Sequence, residues 1–370
     1  HAFVTVVTDV ADYQPLLDEL DAGAGQTRLA FRKTLAQRAF ARTAAYDAAV
    51  SGWMAGAIGE DVPRTRAFGG TLAQALRYGE NPHQKATWYR NLADDQGLHT
   101  AKVLQGKALS YNNILDLDAA SSLVQMFSEP AAVAVKHNNP CGVAIDEQFF
   151  MAVDKALKSD PVSVFGGIIA VNREIGKPEA ELLQNIFLEC IVAPSFSSEA
   201  LEIFAKKKNL RILQWKSLGK TKTNFEMKSV NGGFLLQGKD QITAGNQHWK
   251  IHGESVASVE KDLQFAEKVC ASLKSNAIAL VKNGQTLGLG MGQVNRVDAV
   301  AHAIERMEKH FGKQSQIVMA SDAFFPFADS IEKASQAGVS WVIQPGGSLK
   351  DEEVLSVAKK LKINFQMFRI

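Results

Sequence analysis

The chain has 370 residues and a nearly balanced charge, with 41 lysines and arginines against 39 aspartates and glutamates, a net charge of +2. This balance gives no reason to expect nucleic acid or a membrane surface as a partner, and no apolar run reaches the roughly 20 residues of a membrane span. The length predicts two or three domains, and an apolar content of 46% is typical of a globular protein with a large core.

The cysteines are few and widely separated, at positions 141, 190 and 270. Neither a CxxC pair nor a Cys/His metal spacing occurs, so the sequence predicts neither a disulfide framework nor a zinc site. The N-terminus has no signal-peptide pattern. Together these features predict a cytoplasmic protein that needs no bound metal.

The N-terminal region differs in character from the rest of the chain. Residues 3–7 predict a strand, residues 12–20 an amphipathic helix, and residues 28–54 one or two helices rich in Ala, Arg and Leu. Residues 56–70 carry Gly, Pro and Arg and form a plausible boundary. Because the chain begins with His1 and reads as a strand almost at once, we expect it to start within a domain.

From about residue 71 onward, strand and helix patterns alternate. This alternation predicts a layered α/β architecture with helices that cover a sheet. The dipeptide Asn283-Gly284 between two apolar runs predicts a hairpin turn. The predicted strands lie at residues 131–135, 168–171, 191–193, 277–281, 286–289, 317–320, 339–343 and 363–368, and the predicted helices at residues 256–273, 297–311, 327–336 and 351–361.

The segment KHNNPCG at residues 136–142 is the most informative motif. It follows the apolar run AAVAV, which predicts a buried strand, and a turn is predicted over the NNPCG residues. Ligands of open α/β sheets bind at the carboxyl ends of strands. His137 can accept a proton near neutral pH, and the adjacent Lys136 favours its neutral form. A solvated Lys-His pair in a loop is the alternative.

Two further segments combine polar and turn-forming residues. RYGENPHQ at residues 77–84 offers Arg77 as a partner for a phosphate or carboxylate, although an ordinary turn with a surface arginine is the more common case. DPVSVFGG at residues 160–167 places a Gly-Gly pair just before a strand, where glycine allows either close approach of a ligand or a tight turn.

Glycines and aromatic residues also mark the ends of later strands. GLGMGQVNR at residues 288–296 leads into a helix, whose N-terminus and Arg296 would favour an anion, but the spacing is not GxGxxG. SDAFFPF at residues 321–327 places three phenylalanines in a loop, where they either line a pocket for a flat ring or pack in the core. QPGGS at residues 344–348 closes the next strand. Convergence of these strand ends would form one cleft.

These five motifs, RYGENPHQ, KHNNPCG, GLGMGQVNR, SDAFFPF and QPGGS, resemble the bifunctional purine biosynthesis family that joins an IMP cyclohydrolase domain to an AICAR transformylase domain. The motifs occur in the family's order over essentially the whole chain. The resemblance implies a remnant of the methylglyoxal-synthase-like cyclohydrolase domain with linker helices over residues 1–70. It implies a transformylase domain over residues 71–370, built of two cytidine-deaminase-like three-layer repeats, roughly 71–230 and 231–370.

The activity implied by the resemblance is formyl transfer from 10-formyltetrahydrofolate, a diffusing cosubstrate, to the 5-amino group of AICAR. The products are FAICAR and tetrahydrofolate. The family works as a homodimer with its sites at the interface and without the zinc of the deaminases. By motif, His137 would be the general base and Lys136 would stabilise the oxyanion. The same matching implies contacts to AICAR from Arg77, Tyr78, His137, Gly166, Glu189, Asn276, Arg296 and Phe324, and to folate from Val297, Asp329, Ser348 and Leu349.

The two ends of the chain depart from the family pattern. The residues that carry the family's cyclohydrolase chemistry would lie upstream of His1, so cyclisation by this chain is not expected. A fragment of a complete bifunctional enzyme and a catalytically inactive nucleotide-binding relative remain as alternatives. At the other end, the family closes with an arginine-containing tail that reaches the nucleotide phosphate. Here Arg369 is the nearest arginine that could replace it.

Overall fold

The computed structural model describes residues 1–92, 94–218, 220, 225–240 and 249–368. The chain divides into two compact units, one formed by residues 1–75 and 87–95, the other by residues 76–86 and 96–370. In the described part of the chain, no helix is long and apolar enough to cross a membrane.

The first unit is mainly helical. Helix α1 (Tyr13–Ala22) and the long helix α2 (Leu29–Ile58) confirm the two helical predictions, and strands β1 (Gly70–Leu76) and β2 (Ala86–Asn91) form a small sheet. The strand predicted over residues 3–7 is wrong. Its apolar side chains face solvent, with Phe3 95% exposed, and no described strand pairs with this segment. A strand without a hydrogen-bonding neighbour and a buried face has nothing to stabilise it.

The second unit alternates strands and helices, as the sequence predicts from residue 71 onward. Its first part contains β3 (Lys102–Gln105), α3 (Tyr111–Val124), β4 (Ala131–Lys136), β5 (Asn139–Ile145), α4 (Phe149–Ser159), α5 (Pro161–Val164), β6 (Ile168–Val171), α6 (Lys177–Leu183), β7 (Cys190–Ala193), α7 (Ser198–Phe204) and β8 (Arg211–Gln214). Strands β9 (Phe225–Val230) and β10 (Gly233–Gly238) form a separate antiparallel pair. The second part contains β11 (Trp249–His252), α8 (Glu260–Ala271), β12 (Ile278–Lys282), β13 (Gln285–Gly290), α9 (Arg296–Phe311), β14 (Ile317–Ser321), α10 (Asp329–Gln336), β15 (Val339–Pro345), α11 (Asp351–Lys360) and β16 (Asn364–Phe368).

Twelve of the described strands form one mixed sheet, which confirms the α/β class. Its order is β11-β16-β15-β14-β12-β13-β5-β4-β6-β7-β8-β3. The sheet repeats itself about its centre. In each half, an antiparallel hairpin is followed by an antiparallel neighbour, then two parallel strands, then an antiparallel edge strand. The second unit is therefore a tandem repeat of one β-α-β-β-α-β-α-β-α-β arrangement.

The two halves meet where β5 and β13 pair antiparallel, at Ala144 and Gln285. Because of this direction, the carboxyl ends of β4, β13, β14 and β15 lie at the same edge of the sheet as the starts of β6 and β7. The motif residues that follow or precede these strands are consequently collected at one edge.

Both faces of the sheet are covered. Along β4, Ala131, Val133 and Val135 face one hydrophobic core, which they share with residues of α3 and α8, while Ala132 and Ala134 face another, shared with α4, α6 and α7. A third core packs α9, α10 and α11 on the second half. A strand buried on both faces is a continuous apolar run, as AAVAV indicates.

The KHNNPCG segment differs from its predicted form. The strand over residues 131–135 is confirmed, but the turn consists of His137 and Asn138 alone, and Asn139 already begins β5. The predicted turn over the NNPCG residues is therefore wrong. The strand accommodates Pro140 because the register shifts between Ala134 and Val135, and such a bulge tolerates a residue that cannot donate to the ladder.

Candidate active site

The turn between β4 and β5 presents His137 in an unfavourable backbone conformation. The φ angles of His137 and Asn138 are 52° and 62°, both in the left-handed region that favours glycine. A two-residue hairpin of this kind usually carries Asn-Gly, and a non-glycine residue held there costs of the order of 1–3 kcal/mol. Such strain is concentrated at functional sites, where the surrounding structure holds the residue in place.

The side chain of Lys136 is directed to the start of the neighbouring strand. Its Nζ donates a hydrogen bond to the backbone oxygen of Phe165 at 2.7 Å, and a methyl group placed on Gly166 would lie 3.8 Å from this nitrogen. Gly166 has a φ of 76°, so the predicted tight turn is present and its open side faces the ammonium group. The predicted pair Lys136 and Gly166 is thus brought together.

Glu189 lies beside the same strand starts. Its amide donates to the oxygen of Gly167 at 2.9 Å, and its carboxylate pairs with Arg211 at 2.8 Å. The ion pair orients this carboxylate next to the glycine turn. Three of the predicted AICAR contacts therefore lie at the ends of adjoining strands of the first half. They are His137, which follows Lys136, and Gly166 and Glu189.

His137 and Lys136 also line a cavity of about 260 Å³ between the two halves of the sheet. The cavity lies where β5 and β13 separate beyond their paired segment. In that segment, Thr286 Oγ1 accepts from the amide of Val143 and donates to its carbonyl oxygen. Cys141 is on its wall, where burial raises the thiol pKa to about 12. A thiol with that pKa stays protonated at neutral pH and is a poor nucleophile.

Opposite His137, a charged cluster forms another part of the cavity wall. Asp160 accepts hydrogen bonds from Ser163 and from Arg306 Nη1 at 2.8 Å, and His310 Nε2 lies 3.4 Å from its other oxygen. Burial raises the pKa of Asp160, but these hydrogen bonds and charges outweigh it and lower the pKa below its ordinary value. Arg306 Nε also donates to His302 Nε2 at 3.3 Å. This cluster joins the two halves.

Arg296 is held in a polar network at the start of α9. Its guanidinium donates to Ser321 Oγ at 2.8 Å and to Asn276 Oδ1 at 2.9 Å, and it forms an ion pair with Asp322. Its side chain is only 9% exposed, so Arg296 is not a solvated surface arginine. The N-terminus of α9 is capped by the Asn295 side chain, which accepts from the amide of Asp298. The predicted pair Arg296 and Asn276 is in direct contact.

Asp322 is the acidic centre of this network. Burial raises its pKa, but hydrogen bonds from Ser275, Arg296 and the amide of Ala277 have the larger effect and lower the pKa below its ordinary value. Asp322 therefore stays ionised and fixes the plane of the Arg296 guanidinium. A bound anion or carboxamide would meet a cation whose orientation is already set.

The phenylalanines of the SDAFFPF loop have separate roles. Phe325 is fully buried in the core of the second half, whereas Phe324 and Phe327 are 40% and 60% exposed. Of the two alternatives for these rings, core packing is therefore confirmed for Phe325. Phe324 comes two residues after Asp322 in the chain and is partly exposed to solvent.

The remaining predicted residues lie at the surface. Val297 is half-buried in the first turn of α9, Asp329 is exposed at the start of α10, and Ser348 with the fully exposed Leu349 follows β15. Arg77 is exposed between β1 and β2, with its guanidinium 5.5 Å from the ring centre of Tyr78. Neither Arg77 nor Tyr78 lines the cavity. Arg369 lies outside the described residues.

Several residues at the site were not predicted from the sequence. Asp116, His302 and Arg306 belong to helices that give no local motif, and they reach the site only through the packing of α3 and α9 on the sheet. Asp160 opens the DPVSVFGG segment, but no role of its own was predicted for it. Among the described residues, no group of three or more His, Cys, Asp or Glu side chains is arranged to hold a metal ion.

The fold and the site together define a tandem-repeat α/β protein with a lysine-histidine pair at the functional edge of its sheet. The chain belongs to the AICARFT/IMPCHase bienzyme family, whose model matches residues 1–306. The match includes both the first unit and the motifs that surround His137 and Arg296.

Relatives similar to this chain are named as bifunctional purine biosynthesis proteins. The chain is 49% identical to the bifunctional purine biosynthesis protein PurH of Ruegeria sp. (strain TM1040), over 97% of this chain and 70% of that protein. It is 48% identical to PurH of Paracoccus denitrificans, over 98% of this chain and 71% of that protein. Acinetobacter baumannii RibD matches 70% of this chain and 80% of its own at 10% identity with a TM-score of 0.21, too low to bear on the fold.

Proposed function

We propose that this chain transfers the formyl group of 10-formyltetrahydrofolate to the 5-amino group of AICAR, a step of purine biosynthesis in the cytoplasm. The observation that carries the proposal is the Lys136-His137 pair, held in a left-handed turn beside a cavity, in a member of the AICARFT/IMPCHase family. The amine of AICAR is a weak nucleophile because its lone pair is delocalised into the ring and carboxamide. Base assistance and exact placement are therefore what the enzyme must supply.

In the proposed reaction, His137 takes a proton from the amine as its nitrogen attacks the formyl carbon. The ammonium group of Lys136 stabilises the oxyanion of the tetrahedral intermediate. Collapse of the intermediate breaks the bond to N10 of the folate, which leaves with a proton as tetrahydrofolate. The product, FAICAR, carries the formyl group on that amine.

The other predicted contacts have compatible chemistry. Arg77, with Tyr78, would bind the nucleotide phosphate, and Arg296 with Asn276 would bind a polar edge of the base, both through directed N–H donors. Gly166 leaves room beside Lys136, Glu189 offers an oriented acceptor, and Phe324 offers a stacking face. Val297, Asp329, Ser348 and Leu349 would contact the folate.

The proposal extends to assembly and ancestry. We infer a homodimer with sites at the interface, because Phe324 and Leu349, two of the predicted substrate contacts, are exposed apolar side chains. The repeated strand order supports two cytidine-deaminase-like repeats within residues 71–370, divided near residue 230. Residues 1–70 would belong to the methylglyoxal-synthase-like domain and its linker.

The experiment is an assay of tetrahydrofolate release from 10-formyltetrahydrofolate by the purified chain, with and without AICAR. AICAR-dependent release supports the proposal. AICAR binding without release would favour a nucleotide-binding protein without catalysis.

IMP cyclohydrolase activity is the second candidate, because the matching family is described as a bienzyme and the relatives are named as bifunctional. Incubation with FAICAR and detection of IMP tests it separately. Since FAICAR is the product of the first reaction, the two activities can be measured in the same preparation.

A further inference from the structure

We propose that Asp116 is a positioning residue that fixes the turn presenting His137, an inference whose catalytic consequence rests on the proposed formyl transfer. Oδ1 of Asp116 accepts a hydrogen bond from the backbone amide of Asn138 at 2.6 Å. Asp116 is half-buried on α3, whereas Asn138 is on the hairpin between β4 and β5. The contact therefore ties the turn to a separate, rigid element.

The turn needs this support because neither of its residues is glycine. His137 and Asn138 have φ angles of 52° and 62°, a region that only glycine enters without a steric cost. A hydrogen bond from an amide to a carboxylate is stronger than one between neutral groups. The Asp116 carboxylate thus offsets the backbone strain at the residue that carries the imidazole.

In the second half of the sheet, an aspartate on a helix also accepts from the backbone of the hairpin turn, but that turn has no histidine. Asp262 on α8 accepts from the amides of Asn283 and Gly284, both at 2.7 Å, and those residues have φ angles of 52° and 68°. The separation of Asp262 from Gly284 is 22 residues, as is that of Asp116 from Asn138. The fold therefore uses one aspartate per repeat to hold this hairpin.

The two copies differ in what the turn does. Asn283-Gly284 is the pair preferred in such turns, and it carries no titratable side chain. His137-Asn138 is a poorer pair that places an imidazole beside Lys136. The second copy is accordingly a control within the same molecule, in which an aspartate at the equivalent position accepts from two backbone amides of the turn and has no predicted catalytic role.

Asp116 would affect the rate by holding the imidazole of His137 in position relative to Lys136. Lys136 is fixed independently by its hydrogen bond to Phe165, so relaxation of the turn would move the imidazole relative to the ammonium group. A displacement of about 1 Å in a reacting group can lower a rate by about 10²-fold. Asp116 itself need not touch either substrate.

The test compares Asp116→Ala, Asp116→Asn and the control Asp262→Ala in the full chain. We expect kcat of Asp116→Ala to fall by about 10- to 100-fold with KM for AICAR changed less than about threefold. Asp116→Asn should recover at least about a third of the wild-type kcat, because its amide oxygen can still accept from Asn138. Asp262→Ala should lower the melting temperature at least as much as Asp116→Ala, because it removes two hydrogen bonds and not one, while kcat stays within about twofold of wild type.

Two kinetic results would overturn the proposal. Either Asp116→Ala keeps kcat within about twofold of wild type, or Asp262→Ala loses as much kcat as Asp116→Ala, which would assign the effect to general stability.

Hydrogen exchange of the peptide containing residues 136–139 separates this inference from the proposed function. If the wild type shows no AICAR-dependent release, the proposed function fails. Faster exchange at Asn138 in Asp116→Ala, but not in Asp262→Ala, would still support Asp116 as the residue that holds the turn. Unchanged exchange would reject it.

Discussion

Lys136 and Lys282 occupy equivalent positions in the two halves of the sheet. Each ends the first strand of a hairpin. Lys136 Nζ donates to the backbone oxygen of Phe165 at 2.7 Å, shortly before β6, and Lys282 Nζ donates to that of Ser315 at 2.8 Å, shortly before β14. The lysine is therefore part of the repeated architecture. What distinguishes the first half is the histidine that follows it.

Substitution of His137 is the first test of the proposed chemistry. His137→Ala should lower turnover by about 10²- to 10⁴-fold, the usual contribution of a positioned base, while the Kd for AICAR measured by calorimetry stays within about threefold. His252→Ala, at an exposed position in β11, is the control and should leave turnover unchanged. Near-normal turnover in His137→Ala would remove the histidine from the mechanism.

The lysine pair allows catalysis and structure to be separated. Lys136→Met and Lys282→Met each remove an ammonium-to-carbonyl hydrogen bond, so both should lower the free energy of unfolding by about 1 kcal/mol. Only Lys136→Met should also lower kcat, by about 10²-fold or more, because it removes a group that stabilises the oxyanion. Equal kinetic losses in the two variants would show that Lys136 has a structural role alone.

Because the turn is strained, we expect that a substitution which relieves the strain raises the stability of the protein but lowers its activity. Replacing both residues, His137→Asn with Asn138→Gly, installs the pair found in the second hairpin and should raise the free energy of unfolding by about 1 kcal/mol while activity is lost. Asn138→Gly alone retains the imidazole and should keep most of the activity. Urea unfolding and the formyl-transfer assay measure the two effects. A double variant no more stable than wild type would show that the turn is not strained.

The ion pair between Asp322 and Arg296 predicts a pH-dependent contribution to stability. Because the folded-state pKa of Asp322 is below its ordinary value of 3.8, the contribution is complete above that value and is lost as the pH falls through the folded-state pKa. Asp322→Asn should therefore lower the free energy of unfolding by about 3 kcal/mol at pH 7, because it leaves a buried guanidinium unpaired.

The measurement for Asp322 is the melting temperature of wild type and Asp322→Asn between pH 7 and pH 3. We expect the difference between the two proteins to narrow only below about pH 4. Glu353→Gln, which breaks an exposed pair with Lys350, is the control and should change the melting temperature little. A difference that is constant over the whole range would contradict the assignment.

Much of the second unit was predictable because its signals are local. The apolar run before Lys136 and the Asn283-Gly284 dipeptide define strands and a hairpin without knowledge of the partner elements. The sequence also contains the repeat: aligned on Lys136 and Lys282, both segments have a glycine six residues later, Gly142 and Gly288, each packed against a helix backbone.

The rest depended on contacts between distant segments. The strand expected over residues 3–7 has suitable side chains but no partner among the described strands, and the turn after His137 is shortened by a bulge that the sequence does not reveal. Arg296 and Asp322 become a buried pair only when the fold brings the start of α9 to the end of β14. Asp116 could have been found only by recognising that a second aspartate, Asp262, precedes the second hairpin by the same separation.

The measurement that tests the central claim most directly follows an isotopically labelled formyl group from 10-formyltetrahydrofolate in the presence of AICAR and the purified chain. The account predicts that the label appears in FAICAR with wild type, and at a rate lower by about 10²-fold or more with His137→Ala. Label that remains on the folate or is released as formate while AICAR is bound would contradict formyl transfer by this chain.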